Sequence, residues 1–197
     1  MRHLLLSTAA ASAVAIAAPA HAIDYDYFEA RYTVSGDAVD VGDVTGPGFE
    51  ASRSFDNEWL FARASGDFYA VDQGSEDGTL DLFSIGPGAR LPLTAGRNAV
   101  DLYGALNYQR VATGNVESGI GVDVGVAMDI TDRIEGRLQA TRMDNDDVDL
   151  DLYEARVAYD VDSDWSVTGS LLTGDAEVSG SDRDPDNLVR LGARFRF

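Results

Sequence analysis

Arg190-Leu191-Gly192-Ala193-Arg194-Phe195-Arg196-Phe197 is the last stretch of the sequence, and its alternation decides the fold. Successive side chains of a β-strand point to opposite faces. Val189, Leu191, Ala193, Phe195 and Phe197 therefore share one face, and Arg190, Gly192, Arg194 and Arg196 share the other. One face needs an apolar phase; the other needs water or counter-charges. A soluble chain has no physical need to end on an apolar strand residue. A sheet that closes its first strand against its last does.

The same pattern recurs upstream. Segments of about ten residues alternate in polarity and are separated by Gly, Asp, Asn and Ser. The expected strands are 25–35, 47–55, 59–71, 79–91, 99–111, 119–130, 134–143, 149–160, 165–173 and 187–197. In 119–130, Ile120, Val122, Val124, Val126, Met128 and Ile130 oppose Gly119, Gly121, Asp123, Gly125, Ala127 and Asp129. The breaks alternate between short ones (56–58, 93–98, 131–133, 161–164) and longer or more acidic ones (36–46, 72–78, 112–118, 144–148, 174–186). Ten strands result, with eight as the alternative, because 47–55 is short and Pro87 interrupts 79–91. Proline donates no ladder hydrogen bond, so a bulge or the end of pairing is expected there. An even count puts both termini on the short-turn side.

The first 22 residues read differently. Arg2 precedes an apolar run from Leu4 to Ala18, and Ala20-His21-Ala22 is a small-residue cleavage site. That is a secretory signal peptide, leaving residues 23–197 as one barrel domain. Nothing later supplies the ~18 consecutive apolar residues of a membrane helix. A membrane-spanning form of this chain must therefore be a closed sheet.

Composition narrows the chemistry. The net charge is −19, which argues against nucleic acid as a partner. There is no Cys and no Lys, and both histidines, His3 and His21, lie in the leader. Residues 23–197 therefore lack imidazole and thiol, which excludes Ser-His-Asp and Cys-His nucleophiles. It also excludes His and Cys metal ligands. A paired-carboxylate mechanism is conceivable, but no spacing points to one. No catalytic residue and no cofactor are assigned.

Alternation alone does not tell a soluble barrel, apolar inside, from a membrane barrel, apolar outside. The polar faces break the tie, because they carry both signs at mid-strand: Glu29, Arg31, Glu50, Arg63, Asp67, Arg90, Asp101, Glu135, Arg137, Glu154, Arg156, Arg190, Arg194 and Arg196. Arginine binds carboxylates bidentately, so mixed signs suit pairing across a narrow lumen. Glu29/Arg31, Glu135/Arg137 and Glu154/Arg156 are the expected pairs. Tyr25, Tyr27, Phe55, Trp59, Tyr159, Trp165, Phe195 and Phe197 fall near short turns or chain ends, where an aromatic girdle is expected.

The terminal octapeptide resembles the insertion signal of bacterial outer-membrane β-barrels: polar, any, Gly, any, any, apolar, any, aromatic. Arg190, Gly192, Phe195 and Phe197 fill its fixed places. With the leader and the alternation, the chain resembles the small outer-membrane barrels of the OmpA transmembrane-domain and OmpX type. The resemblance implies an all-β, antiparallel up-and-down transmembrane barrel in the outer membrane of a Gram-negative bacterium. It also implies outer-membrane lipid, lipopolysaccharide and the barrel-assembly machinery as partners. Those relatives have eight strands. Barrel enzymes of similar fold generally rely on a His, which residues 23–197 lack.

Two acidic runs remain. Asp144, Asp146, Asp147 and Asp149 crowd one loop, and Asp182, Asp184 and Asp186 another. Carboxylates suit Ca²⁺ or Mg²⁺. The first run lacks the Gly and final Glu of an EF-hand loop, so a solvated acidic tip, bridged loosely by divalent cations to lipopolysaccharide, is expected ahead of a specific ion site. Three readings follow: a non-enzymatic structural or surface-interaction barrel with a charge-paired lumen, a narrow porin-like channel for small solutes or cations, and an exported soluble barrel binding an apolar ligand.

Overall fold

The computed structural model describes residues 23–38, 42–72, 77–95, 98–112, 116–144, 148–178, 181–183 and 187–197. The leader, Asp146, Asp147, Asp184 and Asp186 lie outside them, as do the side chains of Asp144, Asp149 and Asp182. The described chain is β1 (Tyr27–Ser35), β2 (Asp37–Ala38), β3 (Gly42–Ser54), β4 (Leu60–Asp72), β5 (Asp77–Ala95), β6 (Asn98–Ala112), β7 (Val116–Thr131), β8 (Ile134–Asp144), β9 (Val148–Asp160), β10 (Trp165–Val178), β11 (Ser181–Arg183) and β12 (Leu188–Arg196).

Ten of these strands form the wall, each antiparallel to its chain neighbour; β2 and β11 are short pairings on β3 and β10. β1 closes the ring. It pairs β12 from Tyr27↔Arg196 to Thr33↔Arg190, and β3 from Tyr27↔Ser52 to Thr33↔Gly46. The sheet keeps no long free edge, so its backbone groups are satisfied without water. The eight-strand alternative falls.

Side-chain hydrogen bonds pin the tight turns between strands. The amides of Asp164 and Trp165 donate to Asp162 Oδ1 at 2.9 and 2.8 Å. That of Trp59 donates to Asn57 Oδ1 at 3.0 Å, and that of Arg133 to Thr131 Oγ1 at 3.3 Å. At the other end the strands run past their expected limits. β10 extends to Val178, while β3 begins at Gly42 and β5 at Asp77. The expected long loops are therefore partly strand: Asp175 to Val178 still pair with Asp151 to Val148. Pro87 causes no bulge. Pairing of β5 with β6 skips Gly86 and Pro87 and resumes in the same register, while β4 pairs through (Ala62↔Pro87).

The wall is greasy outside. Ile120, Val122 and Val124 are 58, 48 and 54% exposed, and Leu106, Leu138, Val157, Val167, Leu171 and Leu191 also face out. Each such side chain is worth roughly 1.5–3 kcal/mol when taken from water. Nine of them, each about half exposed, would forgo on the order of 7–14 kcal/mol in water, as much as the ~5–15 kcal/mol that holds a typical domain together. This polarity contradicts the reading as an exported soluble carrier, which needs the apolar face inside.

Candidate functional site in the barrel lumen

Strand parity delivers the charges. β1 sends Glu29 and Arg31 inward, β3 Glu50, β4 Arg63 and Asp67, β8 Glu135 and Arg137, β9 Arg156, and β12 Arg190 and Arg194; all are buried. Glu154 and Arg90 also reach the lumen and are mostly covered. Every lumen residue expected from sequence is on the inner face, and Arg196 sits at its rim, 2.7 Å from Asp160.

The pairing differs from the expectation in one case. Arg137 and Glu135 (3.2 Å) and Arg156 and Glu154 (3.0 Å) meet as expected along their strands. Glu29 and Arg31 do not pair. Glu29 takes Arg194 at 3.0 Å and Arg156 at 3.3 Å, while Arg31 binds Asp67 through Nε (2.9 Å) and Nη2 (2.8 Å), and Glu50 through Nη1 (3.1 Å). Residues two apart on one strand stand about 7 Å apart along it, so pairing across the tube competes well.

The result is a linked central network with two smaller clusters beside it, one at Arg63 and Asp123 and one at Arg90 and Asp101. Arg194 is wholly buried, bridges Glu29 and Glu135 at 3.0 Å each, and lies over the Tyr27 ring at 4.4 Å. The Tyr27 hydroxyl donates to Glu50 and accepts from Arg137 at 2.8 Å. Glu50 also takes Arg156 at 3.0 Å. Arg63 pairs with Asp123, which accepts from Asn107, and Arg63 Nη1 donates to Gln139 Oε1 at 2.7 Å. Arg190 meets Asp67 at 3.4 Å and donates to the Tyr69 hydroxyl. Arg90 reaches Asp101 at 3.2 Å. The named interior arginines (31, 63, 90, 137, 156, 190, 194) match in number the named carboxylates (29, 50, 67, 101, 123, 135, 154), so the lumen is close to neutral while the chain is strongly acidic.

Sequence reading put Asp123 and Asn107 on the polar faces of their strands without naming them as lumen residues, and missed Gln139 and Tyr69. Parity with Arg137 and Asp67 would have found the last two. Towards the loop end the interior turns apolar: Val44, Tyr69 and Val71 pack with Leu80, Leu82 and Leu188. Between this collar and the ion pairs lies a cavity of about 90 Å³, lined by Arg31, Glu50, Asp67, Glu154, Arg190, Leu152 and Leu172 among others. It has room for several waters. At the opposite mouth Asp24, an exposed residue at the rim, has its carboxyl raised above the usual range, first by partial desolvation and then by the charge of Asp26.

The aromatic girdle needs a correction. Phe55, Trp59, Tyr159, Trp165 and Phe197 face outward near the tight-turn end, with Phe195 against Trp165 at 5.1 Å. Tyr25 and Tyr27 are inside the barrel. Among the described residues no group of three or more acidic side chains is placed to hold a metal.

No family model and no curated protein matches the sequence. Among solved structures the chain is similar to NanC porin, with 14% identity and a TM-score of 0.52, over 86% of this chain and 100% of that one. The fold is the closed antiparallel up-and-down β-barrel. It is also similar to the KdgM porin solved in complex with disordered oligogalacturonate (12% identity, TM-score 0.47, 87% of this chain and 99% of that one). Neisserial surface protein A matches at 16% identity and a TM-score of 0.36, over 87% of this chain and 95% of that one. At such identities the likeness is one of architecture.

Proposed function

We propose that the protein is a non-enzymatic barrel of the Gram-negative outer membrane, closed by its own side chains and serving a structural or surface-interaction role. The observation that carries this reading is the linked lumen network centred on buried Arg194 and Glu50. Several of its arginines meet two or more acceptors, so opening a path means unpairing buried charges. Each unpairing costs on the order of 3–5 kcal/mol, and a barrel of this size is nearly filled by its side chains. The apolar outer wall supports residence in lipid, and the leader features of residues 1–22 support export. Kinship with the OmpA/OmpX type rests on the terminal Arg190, Gly192, Phe195 and Phe197 pattern, against a strand count of ten. Outward acidic loops would meet lipopolysaccharide through divalent cations, and the terminal pattern would address the assembly machinery.

A second reading, a narrow porin-like channel, is favoured by the polar cavity above the network and by the likeness to NanC, itself a porin. Planar-bilayer recording of the purified protein separates the two. A silent, stably inserted barrel is expected; a steady ohmic conductance at low voltage overturns the closed reading in favour of the channel.

A further inference from the structure

Residues 23–26 precede the first strand, yet Ile23 and Tyr25 are only 3 and 2% exposed. They lie at the tight-turn mouth, which is the periplasmic one under the function proposed above, on which this inference rests. Their surroundings are built to receive them. The Tyr25 ring sits 4.8 Å from that of Phe61 on β4 and 6.2 Å, edge-on, from that of Tyr103 on β6. Guanidinium groups of Arg90 and Arg137 lie over it at 4.8 and 5.5 Å. Arg90 Nη1 also donates to the Ile23 carbonyl at 2.6 Å. Ala99 and Ala127, both buried, complete the cluster. The wall is hollowed behind the partner rings: a Cβ at Gly88 would collide with Phe61, and one at Gly125 with Tyr103. The Tyr25 hydroxyl, by contrast, has no hydrogen-bond partner. The pocket therefore holds an aromatic ring and makes no use of a phenol.

We propose that this mouth is a binding pocket for an aromatic side chain, filled in cis by Tyr25, so that residues 23–26 form a plug that caps the deeper ion pairs and touches them only through Arg90 and Arg137. Aromatic packing and two cation–π contacts favour the seated state. With the leader removed, as the function proposed above supposes, only residues 23–26 must move to unseat it.

The chain contains no Cys, so a single introduced thiol reports cleanly. Ala127→Cys, beneath the plug, is treated with a charged, membrane-impermeant maleimide in the full-length folded barrel, with folding checked by heat-modifiable gel migration. Ser163→Cys in an exposed turn serves as the unhindered reference. With Tyr25 or Tyr25→Phe, labelling at 127 is expected at least tenfold slower than at 163. With Tyr25→Ala it rises about tenfold or more, and Ile23→Asp, which drives a charge into the same cluster, gives the same rise should Tyr25→Ala fail to fold. Equal labelling at 127 in Tyr25 and in folded Tyr25→Ala or Ile23→Asp overturns the plug, as does rapid labelling in Tyr25→Phe. Bilayer recording of the Tyr25→Ala variant separates this proposal from closure by ion pairs. Fast labelling with continued silence upholds both; fast labelling with a new steady conductance upholds the plug and overturns closure by the network.

Discussion

Arg194 concentrates the energetics of the lumen. Replacing it with Leu would leave Glu29 and Glu135, both buried, each short of a partner 3.0 Å away. Breaking a buried pair from one side costs on the order of 3–5 kcal/mol. Arg194→Leu is therefore expected to lower the unfolding free energy in guanidinium by about that much. The exposed pair Arg142–Asp151, at 3.7 Å, sets the contrast. Removing Asp151 should cost at most about 1 kcal/mol, since surface pairs are screened and entropically costly. Gly192 is the second informative residue. A Cβ there would stand 2.8 Å from the Ala30 carbonyl oxygen and 2.6 Å from Thr168 Oγ1, so Gly192→Val is expected to weaken closure of β12 on β1 and slow appearance of the folded gel band. The inward placement of the charged residues was legible in sequence, because parity alone dictates it. Their partners were not. Which carboxylate meets which guanidinium depends on how the ring curls, as Glu29 shows by passing over Arg31 for Arg194 and Arg156.

The strands of most regular pattern were read nearly to their ends, as the inner and outer faces of β7 show. Its alternating valines and glycines leave no other assignment once the outer face is apolar. Val124→Arg on its lipid face should destabilise the barrel by about 2–4 kcal/mol, measured by reversible unfolding in bilayers. A substitution of Val124 to Leu should cost little. β3 and β10 were read short for a physical reason. Gly42, Asp43 and Gly46 in β3, and Gly174 and Asp175 in β10, carry turn-forming chemistry, and only cross-strand pairing holds them extended. Tyr25 and Tyr27 were misplaced on the outer face because enrichment of aromatics near turns does not say which way a side chain points. Parity with Glu29 and Arg31 would have turned them inward.

For the molecule as a whole, closure and polarity are two consequences of one constraint. A sheet in lipid must pair all its backbone groups and must hide its charges from hydrocarbon. Ten strands do the first, and near-equal numbers of buried arginines and carboxylates do the second. The lumen's near-neutrality explains how so acidic a chain tolerates a charged interior: its excess negative charge lies outside the network, in part in the acidic stretches 144–149 and 182–186 of the sequence. The measurement that reaches this polarity most directly is a nitroxide scan along β7 in lipid, one introduced Cys at a time from Ile120 to Ile130, comparing collision with dissolved oxygen and with a polar nickel chelate. Oxygen access should peak at 120, 122, 124, 126, 128 and 130, with positions 121, 123, 125, 127 and 129 shielded from it. A flat profile, or peaks on the Asp123 face, would contradict an inside-out barrel.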